Sequence, residues 1–264
     1  MKTIKISYTI LTSAFLLILA ACNKGKDDFL YKETIAPVML KGYNSSNETL
    51  EIKLDTFKIN YPLSPNSAFD LIDAYTFYGN TNKVKLSLTE TGTGKVVLEK
   101  EIKRGDGPTN LKFLYLNGKV NDLPEKPLVE QGKIKISYLF MPTLTNYTAP
   151  VDIVLIKYYF TPKAFEEIIR IKNVKPYECS EPVTISSFPT SGQEYNGQPT
   201  SVLFKAYIYK AGTNEFYTEG TGYTWHATSS SAPTPSASVA SSNLYIFNES
   251  TAGNSIRFTK LFEL

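Results

Sequence analysis

The chain has 264 residues, with 28 Lys+Arg against 25 Asp+Glu, a single histidine and two cysteines. One histidine excludes a two-histidine metal centre, and a near-balanced charge excludes the strongly basic face that nucleic-acid binding uses. Tyr and Phe are abundant, at 18 and 15, and together with β-branched residues they dominate the periodic segments, a composition that suits strands.

The amino terminus comes first in chain order. Lys2 and Lys5 precede an apolar run from Tyr8 to Ala21, which closes on Leu19-Ala20-Ala21-Cys22. At about 14 residues the run is shorter than the roughly 20 that a spanning helix needs, so it reads as a cleavable signal peptide. The Leu-Ala-Ala-Cys sequence resembles the lipobox of bacterial lipoproteins. The resemblance covers the first 22 residues and no further domain family. It implies that Cys22 is acylated and becomes the first residue of the mature protein. Each buried CH₂ contributes about 0.8 kcal/mol, and more than one chain gives stable anchoring.

Asn23 follows the cysteine, and then Lys24-Gly25-Lys26-Asp27-Asp28. This stretch is similar to the Lys-and-acid export signal of Bacteroidota outer-membrane lipoproteins. It implies an outer-membrane protein that faces the cell exterior, with the membrane as its partner through Cys22. Without residues 1–21, which carry Lys2 and Lys5, 26 basic residues face 25 acids. The excess of positive charge is therefore mostly a targeting feature, and no nucleic-acid partner is expected.

Beyond a tether over residues 22–34 the period is two, the period of strands. Leu50, Ile52 and Leu54 alternate with charged residues, and Phe57 and Ile59 continue in the opposite phase, which predicts a bulge or break near Asp55-Thr56. Val84, Leu86 and Leu88, then Thr91-Gly92-Thr93-Gly94, then Val96, Leu98 and Ile102 predict a hairpin. Leu111, Phe113 and Tyr115 lead into Asn117-Gly118, a strong hairpin turn pair. Ile134, Ile136, Tyr138 and Phe140 alternate, and residues 151–160 are apolar on both phases, as in a strand covered on both sides. These strands predict a sandwich over residues 35–161.

Thr161-Pro162 followed by Phe165, Ile168 and Ile169 has helical spacing, so residues 162–176 are expected to be a linker with a short helical turn. A strand starting at Ile168 is the competing reading. Strands at 202–209, 215–218, 223–227, 243–247 and 255–262 predict a second sandwich over residues 177–264. Residues 228–242, TSSSAPTPSASVASS, are expected to form a long exposed loop. The expected fold is thus all-β, with two tandem immunoglobulin-like β-sandwich domains.

No chemical motif stands out. His226 lies in phase opposite to Tyr223, Trp225 and Ala227, which points it away from the core. Asp70 with Asp73, and Glu166 with Glu167, are acid pairs outside any glycosidase pattern. Arg104-Gly105-Asp106 spells an adhesion tripeptide within a Gly/Pro turn, and Gly92 and Gly94 belong to a hairpin, not a phosphate loop. If Cys22 carries lipid, Cys179 has no disulfide partner and reads as a small buried residue. No catalytic residue, cofactor or metal is expected. Tyr223 and Trp225 share one face of an expected strand and form the candidate ligand-binding pair, an aromatic platform for a glycan. The sequence thus favours a non-enzymatic binding or interaction protein with a glycan or protein partner. A glycan-uptake accessory and a pilin-like subunit are the alternatives.

Overall fold

The computed structural model describes residues 35–264. The signal segment, Cys22 and the tether lie outside the described residues. Regular structure among the described residues is entirely β, with no helix. The chain divides into two compact units. The first takes the described residues up to Gly42, residues 47–65 and residues 69–113; the second takes 43–46, 66–68 and 114–264.

The first unit is built on β1 (Ile35–Asn44), β2 (Leu50–Leu54), β3 (Phe57–Lys58), β4 (Ser67–Thr76), β5 (Lys83–Glu90), β6 (Val96–Lys103) and β7 (Thr109–Leu116). The predicted rows are buried: Leu50, Ile52 and Leu54 on β2, and Val84, Leu86 and Leu88 on β5. β2 and β5 pair antiparallel, and β5 returns through a hairpin into β6. The expected break near Asp55 is a two-residue turn. Leu54 pairs with Phe57, and Asp55 takes a φ of 51°, which aspartate tolerates better than most residues. Gly42 allows β1 to lie against β7, because a Cβ there would fall 1.7 Å from the Phe113 carbonyl oxygen.

The second unit holds β8 (Lys119–Asp122), β9 (Lys133–Met141), β10 (Val151–Tyr159), β11 (Ala164–Val174), β12 (Val183–Ser186), β13 (Gln193–Tyr195), β14 (Gln198–Thr200), β15 (Val202–Lys210), β16 (Ser241–Ala252) and β17 (Ser255–Glu263). Asn117 and Gly118 both take positive φ, 50° and 72°, in the turn that joins β7 to β8. Two sheets, ordered β12-β9-β16-β17 and β11-β10-β15, contribute to one core. Tyr138 and Phe140 of β9, Ile153 and Leu155 of β10, and Phe247 of β16 all belong to it. Phe140 stacks on Phe247 at 5.2 Å and meets Tyr217 and Phe258 edge-on. The arrangement is sandwich-like. β9 and β16 run parallel, with Ile134 opposite Ser241.

β9 and β16 are apolar on their other phase as well. Leu139, Met141, Leu244 and Ile246 pack with Tyr43, Leu114, Leu116 and Leu123 in a second cluster. β10 is likewise covered on both sides, as its sequence predicts. Val151, Ile153 and Leu155 face the first core, while Val154, Ile156 and Tyr158 enter a third cluster with Tyr207 and Tyr209.

Four expectations need correction. Residues 162–176 are not a linker with a helical turn; most of them form β11, an edge strand. Leu155 pairs with Ile169 and Ile156 with Glu167, so Ile168 is an extra residue in β11. That bulge turns Ile168 and Ile169 toward the same core, which produces helix-like spacing on a strand. A domain boundary at 162–176 would also cut a single core, since β9 and β10 share it with β15 and β16. Residues 215–218 and 223–227 are turns and isolated bridges, not strands. Residues 228–240 carry no strand and are packed over much of their length: Ser230, Ala232 and Ala237 are buried, while Ser236, Ser238 and Val239 are exposed.

Candidate functional site

The outer face of the β11-β10-β15 sheet collects most of the chemistry of the second unit. Val154 of β10 stands opposite Arg170 on β11 and Tyr207 on β15. One step along, Asp152 stands opposite Tyr209, and further on Tyr158 stands between Phe165 and Leu203. The face is therefore aromatic, with one buried acid and one arginine at one end.

Asp152 is 1% exposed. It accepts hydrogen bonds from the backbone N–H groups of Asn173 at 3.0 Å and Gly212 at 3.1 Å, and from Arg170 Nη1 at 3.4 Å. Arg170 donates its other N–H groups to both oxygens of Glu167, to the Thr213 carbonyl and to Asn214 Oδ1. All five guanidinium donors are used. The Glu167 hydrogen bonds, more than those of Asp152, hold Arg170 more firmly protonated than usual, against the effect of burial. These residues line a cavity of about 630 Å³. Asp152, Glu167 and Arg170 are spent on one another, so the cavity offers an incoming anion no free guanidinium, while the exposed Lys172 also lines it.

Arg170 also lies over the Tyr209 ring at 5.4 Å. Tyr209 stacks on Phe216 at 4.8 Å, and Phe216 stacks on Trp225 at 4.6 Å with ring planes 9° apart. Trp225 is further enclosed by Tyr207 edge-on at 5.5 Å and Phe258 at 5.8 Å. The candidate Trp225 is thus the end of a packed column and not an open platform. Tyr223 is half-buried and packs against the same core. The rings that remain open are at the other end of the face. Phe160 is 47% and Phe165 54% exposed, and both neighbour Tyr158. Sequence reasoning missed this pair because residues 161–165 read as the start of a helix.

The other candidates are engaged locally. His226 is exposed, and its Nδ1 meets Ser229 Oγ at 3.0 Å and Thr228 Oγ1 at 3.2 Å, with no carboxylate among its partners. Glu166 accepts the Tyr159 hydroxyl at 2.7 Å, while Glu167 binds Arg170, so the two acids serve opposite faces of β11. Asp70 pairs with Lys41 at 3.3 Å, and Asp73 accepts the Ala74 N–H. In the adhesion-like tripeptide, Arg104 donates to the Gly79 carbonyl at 2.9 Å and lies over Phe77, and Asp106 accepts the Lys103 N–H. Cys179 is half-buried beside the second cluster, and burial pushes its thiol up to about 11. A thiol so raised stays protonated near neutral pH.

No protein-family model and no curated protein matches the chain. Solved structures show only faint likeness, as two of them illustrate. The TIE protein of Bacillus anthracis is 12% identical over 68% of this chain, with a TM-score of 0.19. A leucine-rich repeat protein of Bacteroides thetaiotaomicron is 12% identical over 69% of it, with a TM-score of 0.14. The chain spans about a third and a quarter of those proteins, 32% and 25% of their lengths. At these scores neither likeness carries an argument about fold or function.

Proposed function

We propose that this chain is a non-enzymatic binding or interaction protein of the outer membrane, held by lipid on Cys22 and facing the cell exterior. The address rests on the lipobox-like Leu19-Ala20-Ala21-Cys22 and the charged stretch that follows it. One observation supports a binding role. Asp152, Glu167 and Arg170 of the 630 Å³ cavity are committed to each other, while two large rings at the other end of the same face, Phe160 and Phe165, are left exposed. The proposal also takes the second unit as immunoglobulin-like, supported by its two sheets on one core; the parallel β9–β16 pair departs from the antiparallel form of that fold.

Protease shaving of intact cells tests the location, with Cys22→Ala as the control. Loss of the wild-type protein, with a periplasmic marker intact, supports it; protection until lysis overturns the outward orientation. The exposed phenylalanine pair favours a second reading, a glycan-binding accessory protein, because aromatic rings supply stacking surfaces. A glycan array read with wild type and Phe165→Ala tests it. Binding that falls about tenfold, equivalent to roughly 1.4 kcal/mol, supports stacking on this ring; binding unchanged by the substitution overturns it.

A further inference from the structure

The four outer edges of the two sheets in the second unit are not protected in the same way. An uncovered strand edge invites pairing with another chain, and proteins blunt it with bulges, charges, prolines, short strands or a covering segment. β11 is bulged and carries Glu166, Glu167, Arg170 and Lys172. β12 has only four residues and lies between Pro182 and Pro189. β17 has a register shift that leaves Leu261 as an extra residue, and it carries Arg257, Lys260 and Glu263. β15 is neither bulged nor short and holds no proline. Its nine residues pair with β10 without a register shift, and Lys205 is the only charge before its last residue.

β15 is instead covered. Its even-numbered residues turn backbone groups away from β10, and three separate segments meet them. Thr190 accepts the Val202 N–H, and the turn at 213–217 serves Ile208 and Lys210. The middle is served by the Ser/Ala/Pro-rich segment. Ser231 Oγ accepts the Ala206 N–H at 3.0 Å, Ala232 N–H donates to the Ala206 carbonyl at 2.9 Å, and Thr234 Oγ1 donates to the Phe204 carbonyl at 3.1 Å. Only one of these three is a backbone-to-backbone bond. Pro233 and Pro235 have no N–H, so the segment cannot build a full ladder. It is fastened from behind by Tyr138 OH to the Pro233 carbonyl at 2.8 Å and by Ser230 Oγ to the Ile256 carbonyl at 2.6 Å.

We propose that residues 228–237 are a strap that keeps β15 from pairing with β15 of a second copy of this chain. Self-pairing is the specific hazard, because a straight strand with a small central residue is complementary to itself. Antiparallel pairing centred on Ala206 sets Phe204 opposite Ile208 and Lys205 opposite Tyr207 and closes as a two-fold dimer. The strap fills the same outward groups at Ala206 that this pairing requires.

The test is the mass of the full-length, detergent-solubilised protein by light scattering over a concentration series. The wild-type chain stays monomeric. Ser231→Ala combined with Ala232→Pro removes both bonds at Ala206 and doubles the mass as concentration rises, with hydrogen exchange showing the Ala206 amide still protected in the dimer. Ser231→Ala with Thr234→Ala, which spares the backbone, shifts the mass in the same direction and decides the matter if the proline variant fails to fold. Folded variants that remain monomeric overturn the proposal. So does a wild-type chain that already dimerises, or a dimer in which the Ala206 amide exchanges freely.

Discussion

Arg170 reaches across the sheet edge to Asp152, its Nη1 lying 3.4 Å from a carboxylate that is almost wholly out of water. A buried ion pair adds little net stability over an apolar pair, but removing one partner strands the other. Arg170→Ala leaves Asp152 with two backbone donors and no counter-charge, and frees Glu167 and the 213–214 turn. The expected cost is about 3 kcal/mol. In a chain of this size that lowers Tm by roughly 6–12 °C. Arg170→Lys keeps the charge but loses the planar fork, and is expected to fall between the two. Thermal unfolding followed by circular dichroism checks both.

Glu249 is a second buried acid with a holding role. It accepts the backbone N–H groups of Leu144 and Thr145 at 2.6 and 2.7 Å, the Thr145 hydroxyl, and the Tyr217 hydroxyl at 2.8 Å. Glu249→Ala removes the acceptor shared by these two backbone N–H groups and two hydroxyls. The expected loss is about 2–3 kcal/mol, set by the orphaned donors. Amide exchange at Leu144 and Thr145 should quicken more than exchange in β9.

In the first unit Gly42→Ala tests close backbone approach. The added methyl would lie within bonding distance of the Phe113 carbonyl oxygen, so β1 and β7 must part. A loss of at least about 3 kcal/mol is expected, at the upper end of overpacking costs. Denaturant unfolding compared with Gly94→Ala separates this clash from the general cost of losing a glycine, since a Cβ at Gly94 meets nothing within 4 Å.

Stability should fall in alkali. Burial pushes the Tyr43 and Tyr209 hydroxyls up to about 12, and raises Tyr207, Tyr217 and Tyr245 as well. An unfolded chain ionises its tyrosines near 10. Below that pH both states hold their protons and nothing is lost. Between about 10 and 12 the unfolded state sheds protons that the folded state keeps, so rising pH favours unfolding. Tm measured from pH 8 to 12, beside tyrosinate absorbance, should show the decline beginning near pH 10 and these buried tyrosines ionising together with unfolding.

Much of the strand content is legible in the sequence because a half-buried strand writes its period directly. Leu50, Ile52 and Leu54, or Val84, Leu86 and Leu88, face the interior as alternation requires. The doubly apolar β10 also reads correctly, since both of its faces are covered. Errors arise where geometry breaks the period. The bulge at Ile168 makes a strand look like a helical turn, and with it an edge strand of the sheet looks like a linker. The 228–240 segment misleads through composition: small and proline-rich residues suggest a solvated loop, yet small side chains are what fit against the backbone of β15. Trp225 misleads for another reason. A sequence shows an aromatic residue but not its neighbours, and Phe216, which covers one of its faces, comes from a turn that alternation does not describe.

The parallel β9–β16 pair has a temporal consequence. Ser241 must find Ile134, more than a hundred positions earlier, before the centre of their sheet exists. Closing so long a loop costs entropy before any contact repays it, and such topologies fold slowly. A nascent chain ending anywhere before β16 holds β9 with one flank open and Phe140 without Phe247 beneath it. The second unit therefore cannot mature strand by strand as it is made. It must wait for its last quarter and then close as a whole, which leaves a window in which an escort that shields β9 would matter more to yield than any single contact in the finished fold.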